Sequence, residues 1–126
     1  MGIFQKPNLA SVNVTDWQRA KKFYGETLGL PVAWELNDDV GWIQYGDPNG
    51  AQLAINLWRG PDPFPNGGGG ATIIFSVDDA YKTVEELRRH GVKCEDVQAI
   101  PEMVTYANFF DPDGNRLQVA GPPPKA

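Results

Sequence analysis

The chain reads as an α+β protein built from two βαβββ modules in tandem, and three observations predict this. The same order of signals occurs twice. Residues 9–16, LASVNVTD, and residues 72–79, TIIFSVDD, are short strand patterns ending in Asp, and each precedes a helical pattern. The offset between equivalent features is nearly constant: 63 residues between Asp16 and Asp79, and 64 between the turns Asp47-Pro48-Asn49-Gly50 and Asp111-Pro112-Asp113-Gly114. Both helical patterns also stop at a glycine, Gly29 and Gly91, the residue type that tolerates the left-handed cap.

The elements follow in order. The first helix spans WQRAKKFYGETLG, with Ala20, Phe23, Tyr24 and Leu28 as its apolar stripe and Thr15-x-x-Gln18 as its capping box. The second spans AYKTVEELRRHG, with Tyr81, Val84 and Leu87 inward. Three strands complete each module: VAWEL, GWIQY and QLAINLW, then VKCEDV, VTYANFF and RLQVAG. Proline second and glycine fourth in each Asp-Pro turn suit a type I turn with a glycine bulge. Module one covers about 7–58, the linker RGPDPFPNGGGG covers 59–70, module two covers about 71–121 and a tail covers 122–126, all within one domain of 126 residues. The run Gly67–Gly70 opens a strand with no Lys behind it, so it reads as linker and not as a phosphate loop.

Composition narrows the function classes. The net charge of −5 argues against a nucleic-acid partner, which needs clustered Lys and Arg. No apolar run approaches the length of a membrane span, and the first residues lack a signal-peptide core. With a single cysteine, Cys94, the expected setting is the cytoplasm. The one histidine, His90, precedes the capping Gly91, where it favours the helix C-terminus. Ser11 and Ser76 have no His to act as base, and Cys94 reads as a bystander in a polar strand. Glu35, Asp38 and Asp39 cluster at a strand end and read as solvated carboxylates.

The ordered set Val14-x-Asp16, Phe23-Tyr24, Leu28-Gly29-Leu30, Asp47-Pro48-Asn49-Gly50, Val77-Asp78-Asp79 and Asp111-Pro112-Asp113-Gly114-Asn115 resembles the vicinal-oxygen-chelate superfamily: glyoxalase I, bleomycin-resistance proteins and extradiol dioxygenases. The resemblance implies that two modules, paired within one chain or across a swapped dimer, form an eight-stranded open cup, and that the protein is a homodimer. It also implies four metal-ligand positions: seven residues before each strand-end Asp and four after each turn glycine. Here these are Leu9, Ala54, Thr72 and Gln118. Leucine and alanine carry no donor atom, and Thr is a poor ligand, so a divalent catalytic metal with three protein ligands is not expected. No cofactor is expected either.

Strand alternation assigns the faces. Leu9, Ser11 and Asn13 on the first strand and Thr72, Ile74 and Ser76 on the fifth face the cup; Ala10, Val12, Val14, Ile73, Phe75 and Val77 face the helices. Counting back from each turn places Gln44 opposite Ala54, Trp42 opposite Asn56, Asn108 opposite Gln118 and Phe110 opposite Arg116. Directly opposed residues share a face. The expected ligand-binding residues are therefore Trp42, Gln44, Asn56, Tyr106, Asn108, Phe110 and Gln118, with Trp58 near the rim. The register of Trp34 is not fixed. Rings beside directed amides are what a small-molecule site needs. The expected function is binding of a small aromatic or cationic ligand in a metal-free cup, for sequestration or resistance, without catalysis. The alternative is a metal-independent lyase or isomerase acting on a small carbonyl compound, with Tyr106, or Glu35 or Glu102 at the rim, as base.

Overall fold

A computed structural model describes residues 3, 9–59 and 72–124. The linker read at 59–70 lies outside these residues from position 60 on, and so do the last two tail residues. The chain divides into two compact units, Met1–Phe64 and Pro65–Ala126.

Unit one contains β1 (Ala10–Val14), α1 (Trp17–Lys21) continuing as a π-helix (Lys22–Thr27), β2 (Val32–Glu35), β3 (Trp42–Gly46) and β4 (Gln52–Leu57). Its sheet order is β1-β4-β3-β2. Unit two contains β5 (Ile73–Ser76), α2 (Ala80–Arg89), β6 (Gln98–Ile100), β7 (Val104–Phe110) and β8 (Arg116–Gly121), in the order β5-β8-β7-β6. In each sheet the first strand pairs parallel with the last, and the other pairings are antiparallel. The units therefore share one βαβββ topology, as the repeat predicts.

The repeated Asp explains why each helix starts where it does. Asp16 accepts a hydrogen bond from Arg19 N at 3.1 Å, and Asp79 accepts one from Lys82 N at 3.1 Å. Each satisfies an amide left open at a helix start. The cap of α1 is thus Asp16 and not Thr15, which corrects the capping box expected at Thr15-Gln18.

The helix ends are both glycine caps, with φ of +70° at Gly29 and +79° at Gly91. Yet thirteen positions separate Asp16 from Gly29, and only twelve separate Asp79 from Gly91. The extra residue is absorbed by the π-helix, where Leu28 N donates to Phe23 O at 2.9 Å and Leu30 N to Tyr24 O at 3.1 Å. In unit two the standard closure holds, with Val92 N donating to Leu87 O at 3.0 Å.

One sheet face in each unit is apolar and buried. In unit one it holds Val14, Ile43, Tyr45, Leu53 and Ile55, with Ala20, Phe23 and Tyr24 from the helical segment. Tyr24 stacks on Tyr45 with centroids 6.0 Å apart. In unit two Ala107, Phe109, Leu117 and Val119 meet Ala80, Val84 and Leu87, and Phe75 lies 6.2 Å from Phe109. Burying each of the larger side chains, the Val, Leu, Ile and Phe of this core, contributes roughly 1.5–3 kcal/mol. Tyr81 does not join this core and is 56% exposed. With Asp79 as cap, the inward stripe runs Ala80, Val84, Leu87, which carries Tyr81 about 100° round the helix.

The expected strand VKCEDV is also corrected. The strand forms later, at Gln98–Ile100, and Cys94 makes only an isolated bridge to Phe109. Helix capping takes Val92 N, and Arg88 Nη2 donates to Cys94 O at 3.3 Å and to Asp96 Oδ1 at 2.9 Å. Those bonds turn the segment toward α2 instead of along the sheet.

The two Asp-Pro turns are closed alike, by Gly50 N to Asp47 O at 3.0 Å and Gly114 N to Asp111 O at 2.9 Å. They differ in their glycines. Gly114 has the expected positive φ of +86°, but in unit one the positive φ falls on Gly46, at +120°, where a Cβ would meet Ala51 O at 2.7 Å.

The second turn is far more tightly tied. Asp111 and Asn115 are 4% and 3% exposed. Asp111 Oδ1 accepts from Asp113 N and Asn115 N at 3.0 and 2.8 Å, and Oδ2 accepts from Asn115 Nδ2 at 2.8 Å. Among the described residues, the exposed Asp47 carboxylate accepts only from Asn49 N, at 2.8 Å. Asp111→Ala is expected to cost about 2–3 kcal/mol, because it strands buried donors, and Asp47→Ala at most about 1 kcal/mol. Urea unfolding of the two variants measures this; equal losses would contradict it.

A second prediction concerns alkaline stability. Burial pushes the Tyr45 phenol up from 10.0 to about 12, and the Glu35 carboxylate adds to the rise. The unfolded chain therefore ionises first. Tyr45's contribution is complete below about pH 10 and is lost as pH rises toward 12. Denaturation midpoints taken across pH 9–12 should fall less steeply in Tyr45→Phe than in the unsubstituted protein; identical slopes would contradict the assignment.

Candidate functional site

Each sheet has a second face, turned away from its helix, and the expected site residues divide between these two faces. In unit one the register is the one expected: Trp42 opposite Asn56 and Gln44 opposite Ala54. Ser11 aligns with Ala54, and Asn13 with Asn56. Trp42, Gln44 and Asn56 therefore share one open face, and each is half-buried.

The polar groups on this face are bonded in series. Trp42 Nε1 donates to Gln44 Oε1 at 2.9 Å, Gln44 Nε2 to Gln52 Oε1 at 2.7 Å, and Gln52 Nε2 to Asp47 O at 3.1 Å. Asn56 Nδ2 donates to Asn13 Oδ1 at 3.1 Å. Such a series fixes the Trp42 indole and the amide orientations before any ligand arrives, which lowers the ordering cost of binding.

Trp34 also joins this face. A register shift between Val32 and Trp34 places Trp34 opposite Gln44, and its side chain stays 51% exposed. The sequence alone did not fix this, because a bulge has no signature in an alternating pattern. The same shift puts Glu35 opposite Ile43, on the helix side. Glu35 therefore lies on the helix side and does not share the open face with Trp42 and Gln44, contrary to the rim position expected of it. Asp38 is also engaged elsewhere. It accepts from Trp17 Nε1 at 3.0 Å and from Lys21 Nζ at 3.2 Å, and these partners, the indole foremost, hold its carboxyl below the usual range.

In unit two Asn108 lies opposite Gln118 and Phe110 opposite Arg116, again as expected, and Tyr106 lies opposite Ala120. Tyr106, Asn108, Phe110 and Gln118 share one face and are half-buried. Gln118 Nε2 donates to Asn108 Oδ1 at 3.0 Å, and Asn108 Nδ2 donates to Glu95 Oε1 at 2.9 Å.

Glu95 and Lys93 are the residues that sequence reasoning missed here. Lys93 Nζ sits 5.3 Å from the Phe110 ring centroid. Both come from the irregular segment before β6, where no periodicity could assign a face. Cys94 between them is free and half-buried. Burial pushes its thiol up, against a smaller opposing pull from Arg88, so it is no activated nucleophile. His90 Nδ1 lies 2.9 Å from Glu86 O and donates to it, closing the C-terminal turn of α2.

The four positions that the resemblance would give to a metal do not fit one. Leu9 and Ala54 offer no donor. Thr72 Oγ1 already accepts from Arg116 Nε at 3.0 Å, which places a guanidinium beside it. Gln118 is held by Asn108. One amide and a hydroxyl next to a fixed positive charge are a poor donor set for a divalent cation. Among the described residues, no three His, Cys, Asp or Glu side chains converge as a metal site, and no helix is long and apolar enough to cross a membrane.

Comparison with known proteins agrees with this architecture. The profile of the Glyoxalase/Bleomycin resistance protein/Dioxygenase superfamily matches residues 6–119. The chain is 28% identical over 112 residues to protein YetH of Bacillus subtilis (strain 168), covering 83% of this chain and 88% of YetH. It is similar in structure to TnmS3, an antibiotic binding protein from Streptomyces sp. CB03234, with a TM-score of 0.75 and 26% identity over 97% of this chain and 99% of that one. A glyoxalase/bleomycin resistance protein from the same organism matches with a TM-score of 0.70 and 27% identity, over 90% and 98% of the two chains. With the repeated topology, the paired Asp-Pro turns and a profile match over nearly its whole length, the chain belongs to the Glyoxalase/Bleomycin resistance protein/Dioxygenase superfamily.

Proposed function

We propose that this protein binds a small flat organic molecule, aromatic or cationic, on the open faces of its sheets without a metal, and so sequesters it. The observation that carries the reading is the bonded series Trp42–Gln44–Gln52 beside the exposed Trp34. It presents preset amides and two indoles on one surface. Indole faces attract flat rings and cations, the latter by about 0.5–2 kcal/mol each. Asn56 on the same face, and Tyr106, Asn108, Phe110 and Gln118 on the other unit, supply similar chemistry. The antibiotic-binding description of TnmS3, a relative over almost the whole chain, favours the same reading.

Glu95 and Tyr106 favour a second reading, a metal-independent lyase or isomerase of a small carbonyl compound. Glu95 is tied to Asn108, on the face that Tyr106 shares, so a carboxylate and a phenol are available as base and acid. We place the protein in the cytoplasm, in keeping with its single free Cys94, and as a homodimer. Val32, Leu36 and Val40, exposed on and just after the edge strand β2, offer apolar surface to a second copy. Sedimentation should give twice the chain mass, and a monomer at micromolar concentration would contradict the dimer.

The binding reading is tested by a thermal-shift panel of aromatic and cationic compounds. A ligand at one hundred times its Kd stabilises the fold by about 2.7 kcal/mol, a shift of several degrees. At least one compound should produce it, and Trp42→Ala should cut the response while keeping a cooperative transition. A panel without any shift, or shifts that Trp42→Ala leaves unchanged, would contradict the proposal.

A further inference from the structure

We propose that Arg116 is an anion-recognition residue, and that the ligand of unit two's open face is a ring bearing a carboxylate. This rests on reading that face as a ligand surface, and it narrows the ligand class.

The geometry begins with the strand pairing. Phe110 N donates to Lys93 O at 3.0 Å, away from β8, and Asp111 N donates to Asn115 O at 3.1 Å. Phe110 and Arg116 are therefore a non-hydrogen-bonded pair, the kind in which opposed side chains approach most closely. Arg116 is then fixed from the other side, because its Nε donates to Thr72 Oγ1 at 3.0 Å. That bond uses one of five donors and leaves the two Nη groups with no partner among the described residues.

Arg116 is a half-buried residue on the open face, in a chain of net charge −5. Lys21 pairs with Asp38, Arg88 with Asp96, and Arg89 with Glu85 and Glu86, whereas the exposed Lys22, Arg59 and Lys82 show no ion pair among the described residues. Neither Arg116 nor Lys93 has an ion-pair partner among the described residues, and both stand at Phe110. Glu95 also reaches this face, where its Oε1 is taken by Asn108. Asn108 lies two residues from Phe110, roughly 7 Å along the strand. Lys93 and Arg116 thus both stand at Phe110, while Glu95 stands further along the strand beside Asn108. A planar fork matches a carboxylate in two parallel hydrogen bonds, while the adjacent ring selects an aromatic body for the acid.

The test uses the full-length protein and three probes, 2-naphthoate, its neutral amide 2-naphthamide, and inorganic phosphate, followed by ¹H–¹⁵N spectra that include arginine Nε. Naphthoate should bind about tenfold more tightly than naphthamide or phosphate, and should move the Arg116 Nε signal. Arg116→Gln should abolish the preference for naphthoate over naphthamide, Arg116→Lys should keep part of it, and Arg89→Gln on α2 should keep all of it. Equal affinity for naphthoate and naphthamide would overturn the role of Arg116 while leaving an aromatic-binding face intact. Phosphate as tight as naphthoate would overturn the aromatic-acid assignment. If neither naphthalene compound binds, both the inference and the reading it rests on fail. Should Arg116→Gln not fold, the acid–amide comparison on the unsubstituted protein still decides the question.

Discussion

Strand register is the constraint on which the rest depends, and in unit two it is held by the Asp111–Asn115 lock at the β7–β8 turn. Side chains alternate across a strand, so a slip of one residue would exchange the two faces. Phe109, Leu117 and Val119 would then point away from α2, and Asn108, Phe110 and Gln118 would be pressed into the core. A buried carboxylate that accepts two backbone amides and a side-chain amide leaves little freedom for such a slip. Unit one relies on a looser turn. There the buried Tyr24–Tyr45 stack and the Gln44–Gln52 bond help hold β3 against β4.

With register held, each sheet separates two kinds of chemistry. One face gives its apolar side chains to the helix and supplies the stability. The other keeps amides and rings, half-exposed, with its amides bonded to neighbouring polar groups. The positions that a metal would use are Leu9, Ala54, Thr72 and Gln118, and in this chain Thr72 instead anchors a guanidinium. The superfamily architecture is thus retained with a different set of groups at these positions.

Much of this was legible in the sequence. Asp16 and Asp79, the glycine stops and the Asp-Pro turns are local signals, and turn length alone dictated the pairings of Trp42 with Asn56 and Asn108 with Gln118. What was not legible depended on irregular backbone. The bulge near Trp34 brought that ring to the open face and took Glu35 off it. The segment around Cys94 was drawn toward α2 by Arg88, which moved the edge strand to Gln98–Ile100 and left Lys93 and Glu95 beside Phe110 and Asn108. The π-helix went unread because it costs only one residue in thirteen, too little to disturb an apolar stripe. The choice of Asp16 over Thr15 as cap was equally local, since both side chains can accept a hydrogen bond at a helix start.

The central claim is that the open sheet faces, and not the helical surfaces, receive an organic ligand. The most direct measurement is a map of amide chemical-shift changes on titration with an aromatic compound that stabilises the protein. The account predicts changes at the side-chain amides of Gln44, Asn56, Asn108 and Gln118 and at the Trp42 indole, with the outer residues of α2 unmoved. Changes confined to α2 around Tyr81, Glu85 and Arg89, with those amides silent, would contradict it.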